Sequence, residues 1–549
     1  MYQTRNFEIF PVSSMEKIRG TQRPQMFEKE NTALMGERFC FQVAFRSIGR
    51  TLTDLRYFTE GCDEGAIKVF LVQSVPCTYP VAENSDDYVL ESGVCMMPDI
   101  LAPITTSGVT ARSGIWQSFY IMLSGLLPGK HVLKFSVSAS NGEILGEIEY
   151  TLTVLAERLP DSDLICTFWL HYDSLADYYK LPLFSEEYNR ILQSFLCSAV
   201  NHGLTMLLTP LFTPPLDTEI GKERMTVQLI DIEKKNGEYR FGFERLERFM
   251  KFAERCGVRY FEMPHLFTQW CAGFAPKIMA MEDGKEKRIF GWENAALSRE
   301  YKEFLSVFLP CLRTWLLEKN YYSRCYFHIS DEPNAAAFEH YKECLLYVRQ
   351  FLPDAKFTDA LSHYEYYEQG LTDYPFIALD ATEEFIEKNA KNYFVYYCMA
   401  QRNKFVSNRF LSMPLERTRI LGMQMYLNDV HGFLQWGYNF YYSFLSREVI
   451  DPFSVTDCMG KFQSGDAFIV YPGKDGALES MRGEAFYQGM QDLRALKLLE
   501  KKIGREQVCR LLEKNGMSRN FNDYPKNALW LVSLRKTIND LLQDESERL

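Results

Sequence analysis

The sequence lacks any CxxC pair among its 14 cysteines, lacks HExxH, and nowhere sets His and Cys at zinc-ligand spacing. These absences argue against a zinc-ribbon module and against a thermolysin-like protease, and no metal or other cofactor is expected. No run of about 20 apolar residues could span a bilayer. The N-terminus, MYQTRNFEIF, has no basic region followed by an apolar stretch, so no secretory leader is read there. With reduced thiols, the cytoplasm is the expected compartment. Positive charge is not in excess: the net charge of −11 argues against nucleic acid or an anionic membrane as partner. There is no internal repeat and no low-complexity run.

A chain of 549 residues is too long for a single core, so two or three domains are expected. Aromatic side chains are plentiful, with 41 Phe, 32 Tyr and 7 Trp, a supply that suits either large cores or a sugar-binding cleft. Up to residue 157 the pattern is alternating. In EIEYTLTVL, residues Ile148, Tyr150, Leu152 and Val154 alternate with polar neighbours, and VLKFSVSA, FCFQVAF and WQSFYIML are similar. Short strands between turns such as LPGK and SNGE predict an N-terminal β-sandwich over 1–157.

Beyond the joint ERLPDSD the pattern changes. Apolar strand-length runs (LICTFWLH, TMLLTP, YFEMPHLF, RCYFHIS, KFTDAL, FIALD, NYFVYYC, GFLQWGYNFYY) alternate with amphipathic stretches such as EEYNRILQSFLCSAVNHG and FERLERFMKFAERCG. About eight alternations predict an α/β fold of the (β/α)₈ TIM-barrel type over 161–480, followed by a helical segment over 481–549. A doubly wound open sheet competes, but no Gly-rich phosphate loop follows its first strand.

The chemistry is most legible in YFHISDEPN, where a strand runs into Asp331 and Glu332. In a barrel, catalytic groups sit at the carboxyl ends of strands. Two adjacent acids crowd negative charge and raise at least one pKa toward that of a general acid. A solvated loop starting the next helix at Pro333 is the plain alternative. A glycosidase that forms its own covalent intermediate faces two carboxyls across the bond, roughly 5–5.5 Å apart. Neighbours in sequence suit a division of labour better. One acid protonates the leaving oxygen while the other steadies a nucleophile supplied by the substrate, the oxygen of a 2-acetamido group.

Residues 164 to 500 resemble the catalytic domain of glycoside hydrolase family 123. The likeness rests on TFWLHYD, on YFHISDEP, on YYC with the following run to GFLQWGYNFYY, and on the closing GDAFIVYPGKDGALESMRGEAFYQGMQDLRAL. The resemblance implies a β-N-acetylgalactosaminidase-like, retaining exo-glycosidase assisted by the substrate acetamide. It implies that Asp331 orients the acetamide and that Glu332 is the general acid/base. Around them, Trp436 is a candidate floor under the sugar and Asn439 a candidate hydroxyl ligand, both placed on the last strand. Trp169 and His171 are placed at the end of the first. Tyr396 is a candidate donor to the acetamide oxygen, and Asp359, Asp380 and His265 are candidate sugar ligands. Arg482 and Glu484 are read as structural braces. The expected partner is a carbohydrate. The rivals are a glycosidase for another sugar, with Asp359 or Asp380 approaching Glu332, and a non-catalytic carbohydrate-binding protein.

Overall fold

The computed structural model describes residues 2–105 and 108–543. The protein is mixed α/β, with a strand-rich N-terminal region and a curled parallel sheet. In the N-terminal region Phe7–Ser13, Phe39–Ser47, Gln117–Leu123, Ile67–Cys77 and Cys95–Pro103 lie side by side in that order, all antiparallel. A second sheet carries Ile144–Arg158 and Gly129–Ser138 as its long central pair. The expected alternation decides which face turns inward. Ile9, Phe41, Val43, Phe45 and Phe119 from one sheet meet Phe135, Val137, Ile148, Tyr150 and Leu152 from the other in a single core.

The parallel sheet contains Ile165–Phe168, Met206–Leu208, Tyr260–Met263, Cys325–Phe327, Lys356–Phe357, Ala360–Leu361, Phe376–Ala378, Phe394–Tyr396 and Gly432–Gln435. The first strand pairs with both the second and the last, with Ile165 opposite Gly432, so the sheet curls round on itself. Only Lys356–Phe357 and Ala360–Leu361, neighbours in the chain, are not hydrogen-bonded to each other in this order. The strands read as continuous apolar runs because both faces are buried. Trp169, Met206, Leu208, Tyr326, Phe376 and Leu434 fill the inside of the curl. Cys166, Leu207, Phe261, Phe327, Val395 and Phe433 pack outward against helices. Gly432 is required where it stands, since a Cβ there would lie 2.3 Å from the Phe394 ring.

Several expected strands end early. The acid strand stops at Phe327, so Asp331 and Glu332 sit in a turn beyond it. The last strand stops at Gln435, short of Trp436 and Asn439. KFTDAL is split at Thr358 and Asp359, and Asp380 lies in the 3₁₀ turn Leu379–Ala381. Trp169 follows the first strand, and His171 begins the helix Tyr172–Tyr179. At the acid strand, Asp359 takes the amides of Ile329 and Ser330, and past the last strand Gln435 Oε1 takes the Gly437 amide, so side-chain bonds replace the ladder there.

A four-stranded side sheet, Asp231–Lys235, Glu238–Gly242, Ile278–Glu282 and Lys285–Phe290, was not anticipated. Its two hairpins turn at Asn236-Gly237 and Asp283-Gly284, all four residues with positive φ, the turn that matches strand twist.

The C-terminal stretch carries the helices Met481–Ile503, Arg505–Lys514 and Ala528–Gln543; residues 544–549 of the segment expected over 481–549 lie outside the described residues. No described helix is long and apolar enough to cross a membrane. Met481–Ile503 joins the N-terminal sheets to the rest. Arg482 is fully buried and donates Nε and Nη2 to Asp99 at 2.9–3.0 Å, while Nη1 donates to the carbonyls of Arg409 and Gly465. Glu484 accepts from Arg38 and His202, each at 2.8 Å. Burial would raise its pKa, but Arg38 and His202 hold it down to about 2.

Removing one partner of a buried ion pair strands the other charge. Arg482→Met should therefore cost about 3–5 kcal/mol in urea unfolding. Adding Asp99→Asn should restore much of that, and a single mutant losing under about 1 kcal/mol would show the pair to be dispensable. Glu484 has a folded pKa below its unfolded value, so its contribution is present above about pH 4.5 and lost as pH falls through 2. The melting difference between Glu484→Gln and wild type should shrink below pH 4.5.

Candidate active site

The inside of the curled sheet has a polar core beneath the acid turn. His328, one residue past its strand, is fully buried between two carboxylates. Its Nε2 lies 2.5 Å from Glu262 Oε1 and its Nδ1 lies 2.8 Å from Asp359 Oδ1. Burial alone would depress its pKa, but the bonds to Asp359 and Glu262 push it up to about 10. The ring is therefore a buried imidazolium. Glu262 also accepts from Trp169 Nε1 at 2.9 Å and Thr167 Oγ1 at 2.5 Å. Asp359 accepts from the Tyr341 hydroxyl and from the amides of Ile329 and Ser330. Those amides lead straight into Asp331, so this cluster sets the path of the acid turn.

His265 packs against His328 with tilted rings 4.4 Å apart between centroids, and neither of its ring nitrogens has a partner among the described residues. Burial and the neighbouring His328 push its pKa well below the usual range, so it is neutral. His265, His328 and Asp359 place one ligand atom each within 4.8 Å of one another, a spacing a metal ion could use. Both His328 nitrogens are committed as donors, however, and offer a metal no lone pair.

Above this cluster, Asp331 and Glu332 are half-buried. Glu332 has φ +44°, a left-handed conformation unusual for a residue with a Cβ and a frequent mark of a functional turn. The Tyr396 hydroxyl donates to Glu332 Oε1 at 2.6 Å. The Trp270 amide donates to the Asp331 carbonyl at 2.6 Å. Burial and the adjacent Glu332 push Asp331 well above the usual carboxylate range, against a pull from His328. Burial also raises Glu332, opposed by the Tyr396 hydrogen bond. The charge of each acid therefore bears on the titration of the other.

The acids open on a cavity of about 270 Å³. Trp169, Trp270 and Trp436 line it, with Tyr396, Asp217 and Asp466 among the polar groups. Trp436 Nε1 donates to Asp466 Oδ2 at 3.2 Å. A larger cleft of about 740 Å³ lies over the side sheet, but its acids, such as Asp231 and Glu233, are exposed.

Of the residues singled out from the sequence, Trp169, Asp331, Glu332, Tyr396 and Trp436 meet at the cavity. The Tyr396 hydroxyl is engaged with Glu332. Asp359 and His265 lie behind the wall. Asp380 flanks it, held by Gln401 Nε2 at 3.0 Å. His171 and Asn439 face elsewhere. Asn439 accepts from the His171 amide and donates to its carbonyl, while the ring receives Arg224 and donates to the Trp436 carbonyl. Burial and Arg224 hold that ring down to about 3, so it stays neutral. Glu262, His328, Asp217, Trp270 and Asp466 also belong to the site or its support, though no local pattern marks them in the sequence. His328 lies inside the quoted acid motif and Asp466 inside GDAF, but neither letter reveals its partners.

A comparison with curated proteins returns no match. Among solved structures, a family 123 glycoside hydrolase from Clostridium perfringens, described for glycolipid glycan hydrolysis, is similar with a TM-score of 0.77 at 14% identity. The match covers 98% of this chain and 99% of that one, and it shows a shared fold. β-Glucuronidases from Bacteroides uniformis and Dictyoglomus thermophilum reach TM-scores of only 0.31 and 0.32 at 9% identity. They cover 87% and 89% of this chain, and 51% and 97% of their own. The family model for the glycoside hydrolase 123 catalytic domain matches residues 169–499, from the tryptophan after the first strand through the acid turn to the long C-terminal helix. With more than half of its length matched, the chain belongs to the glycoside hydrolase 123 family.

Proposed function

We propose that the protein is a retaining exo-glycosidase for β-linked 2-acetamido-2-deoxy sugars, GalNAc-like, working by substrate-assisted catalysis. The observation that carries this reading is the pair of adjacent carboxyls on one turn at a cavity sized for a single sugar. Adjacent acids are poorly disposed to face each other across a glycosidic bond. The other acids of the original rival reading are already engaged, Asp359 by His328 and Asp380 by Gln401. We read the curled sheet as a (β/α)₈ barrel, with Lys356–Phe357 and Ala360–Leu361 as one interrupted strand, and the two N-terminal sheets as a β-sandwich. The end of a glycolipid-type glycan is a fitting substrate, by analogy with the Clostridium enzyme.

In this mechanism Glu332 protonates the leaving oxygen. Asp331 accepts from the acetamide N–H and offsets the positive charge that builds as the acetamide oxygen attacks the anomeric carbon. In this reading the pair shares one proton, which before substrate enters rests on Asp331, since burial beside Glu332 favours its neutral form while Tyr396 stabilises the charged form of Glu332. An acetamide N–H at Asp331 favours its charged form and sends the proton to Glu332. Water, deprotonated by Glu332, then opens the oxazolinium-like intermediate from the same face. Trp436, braced by Asp466, supplies an apolar floor.

Glu332→Gln should lower kcat/KM by about 10²–10⁴-fold on substrates with poor leaving groups. It should do far less on dinitrophenyl glycosides; an equal loss on both would remove Glu332 from the acid role. Asp331→Asn should weaken binding of a thiazoline mimic of the intermediate. Trapping a covalent sugar–enzyme adduct with a fluorosugar would instead point to a direct nucleophile, with Asp217 and Asp466 the cavity carboxyls to examine. The pH profile of kcat/KM should be a bell reporting the pair's two pKa values, its acid limb displaced above the ordinary carboxylate range. Activity falls with acid once both carboxyls are protonated, and with base once the shared proton leaves. His328→Gln should lower kcat and shift that bell while KM moves little; a loss of melting temperature with an unmoved bell would confine His328 to packing.

A further inference from the structure

The cavity is one-sided in charge. Asp217, Asp331, Glu332 and Asp466 all line it, and among its described lining residues none is Lys, Arg or His. The remaining wall is largely aromatic and aliphatic. The cations nearby in the fold do not line the cavity. Arg224 donates to both oxygens of Asp173 at 2.7 Å. Arg409 spends Nη2 on the carbonyls of Gly437 and Asp466. His328 is held between Glu262 and Asp359.

Two of the four carboxyls are not needed for the proposed chemistry. Asp217 is pinned where three loops meet. Its amide donates to Gln269 Oε1 at 2.5 Å, its Oδ2 accepts from the Leu445 amide at 3.0 Å, and its carbonyl accepts from Ser446 Oγ at 2.7 Å. It holds φ +40° there, so the backbone is bent to present this side chain. Asp466 is fully buried, uses Oδ2 on Trp436, and leaves Oδ1 without a partner. An unpartnered buried carboxyl oxygen calls for a donor, and a sugar hydroxyl is one.

We infer that Asp217 and Asp466 make this cavity select by charge: it admits neutral or cationic sugars and rejects sugars bearing a carboxylate, sulfate or phosphate. The physical reason is direct. An anionic substituent would enter a largely apolar enclosure beside carboxyls, with no cation among the described lining residues to pair with it, so it loses hydration that the wall does not replace. A neutral hexosamine gives its hydroxyl protons to the same oxygens. The inference rests on the glycosidase reading above and narrows its substrate class.

The test compares neutral nitrophenyl β-glycosides of GalNAc, GlcNAc, galactose and glucose with their 6-sulfates, and with the glucuronide, at a pH above 7, because burial pushes Asp217 up to about 6 and Asp466 up to about 7 and both must be charged. Each anionic glycoside should show kcat/KM roughly 100-fold or more below its neutral parent. Asp217→Asn or Asp466→Asn should narrow that ratio by roughly tenfold, whatever it does to the neutral substrate. Turnover of an anionic glycoside within roughly tenfold of its parent overturns the inference. An unchanged ratio in both variants removes these two residues as its cause. Cleavage of the glucoside but not the 2-acetamido sugars would sink the preceding substrate assignment and leave charge selection standing. No turnover of any member overturns both.

Discussion

One buried arrangement governs the catalytic end of this protein: an imidazolium held between two carboxylates. His328 carries a charge at a depth where an isolated charge is strongly disfavoured, and it is tolerated because Glu262 and Asp359 meet its two nitrogens. Each carboxylate then does a second task. Glu262 fixes the Trp169 indole, which forms part of the cavity wall. Asp359 fixes the amides of Ile329 and Ser330 and so aims the acid turn. Three strands of the curled sheet supply or precede these residues, so the turn is positioned by tertiary contacts rather than by a local motif.

The same device recurs at the edges of the fold. Arg417 pairs bidentately with Asp86, and Arg419 and Arg535 converge on Asp492. Arg482 pairs with Asp99. Asp86 and Asp99 belong to the N-terminal region, and their partners do not. Joints of this kind add less net stability than apolar packing of equal volume, but each tolerates few alternative partners. They act as keys that fix how the sheets and helices meet. Cut away from the strands before it, Arg482 would lose Asp99 and face an emptied socket.

Much of this was legible in the sequence because periodicity reports burial. Ile148, Tyr150, Leu152 and Val154 fall on one buried face, and Leu493, Leu496 and Leu499 line the long terminal helix. The acid pair was legible because it closes an apolar strand-length run and lies among four segments that together resemble family 123. Hidden from view was every place where a side chain ends a strand. Asp359 interrupts KFTDAL because it bonds His328, and Asn439 leaves the ladder to clasp the His171 backbone. Such bonds join residues far apart in the chain, and no local pattern encodes them. The side sheet is a different case. KKNGEY and EDGKE carry the asparagine–glycine and aspartate–glycine signals of tight hairpins, but charge-rich strands offer little apolar alternation to flag them.

The loop holding Trp270 is sewn to the acid turn at several points. Its amide reaches the Asp331 carbonyl, the Ser330 hydroxyl donates to the Thr268 carbonyl, and the Ala272 amide donates to that hydroxyl. The rim that meets an incoming molecule and the turn that bears the carboxyls are therefore one mechanical piece. A lineage altering this loop to accept a new partner would tilt its acids in the same stroke. Diversification along this edge should proceed by exchanging side chains on a preserved backbone, with insertions and deletions confined to loops that carry no such stitching.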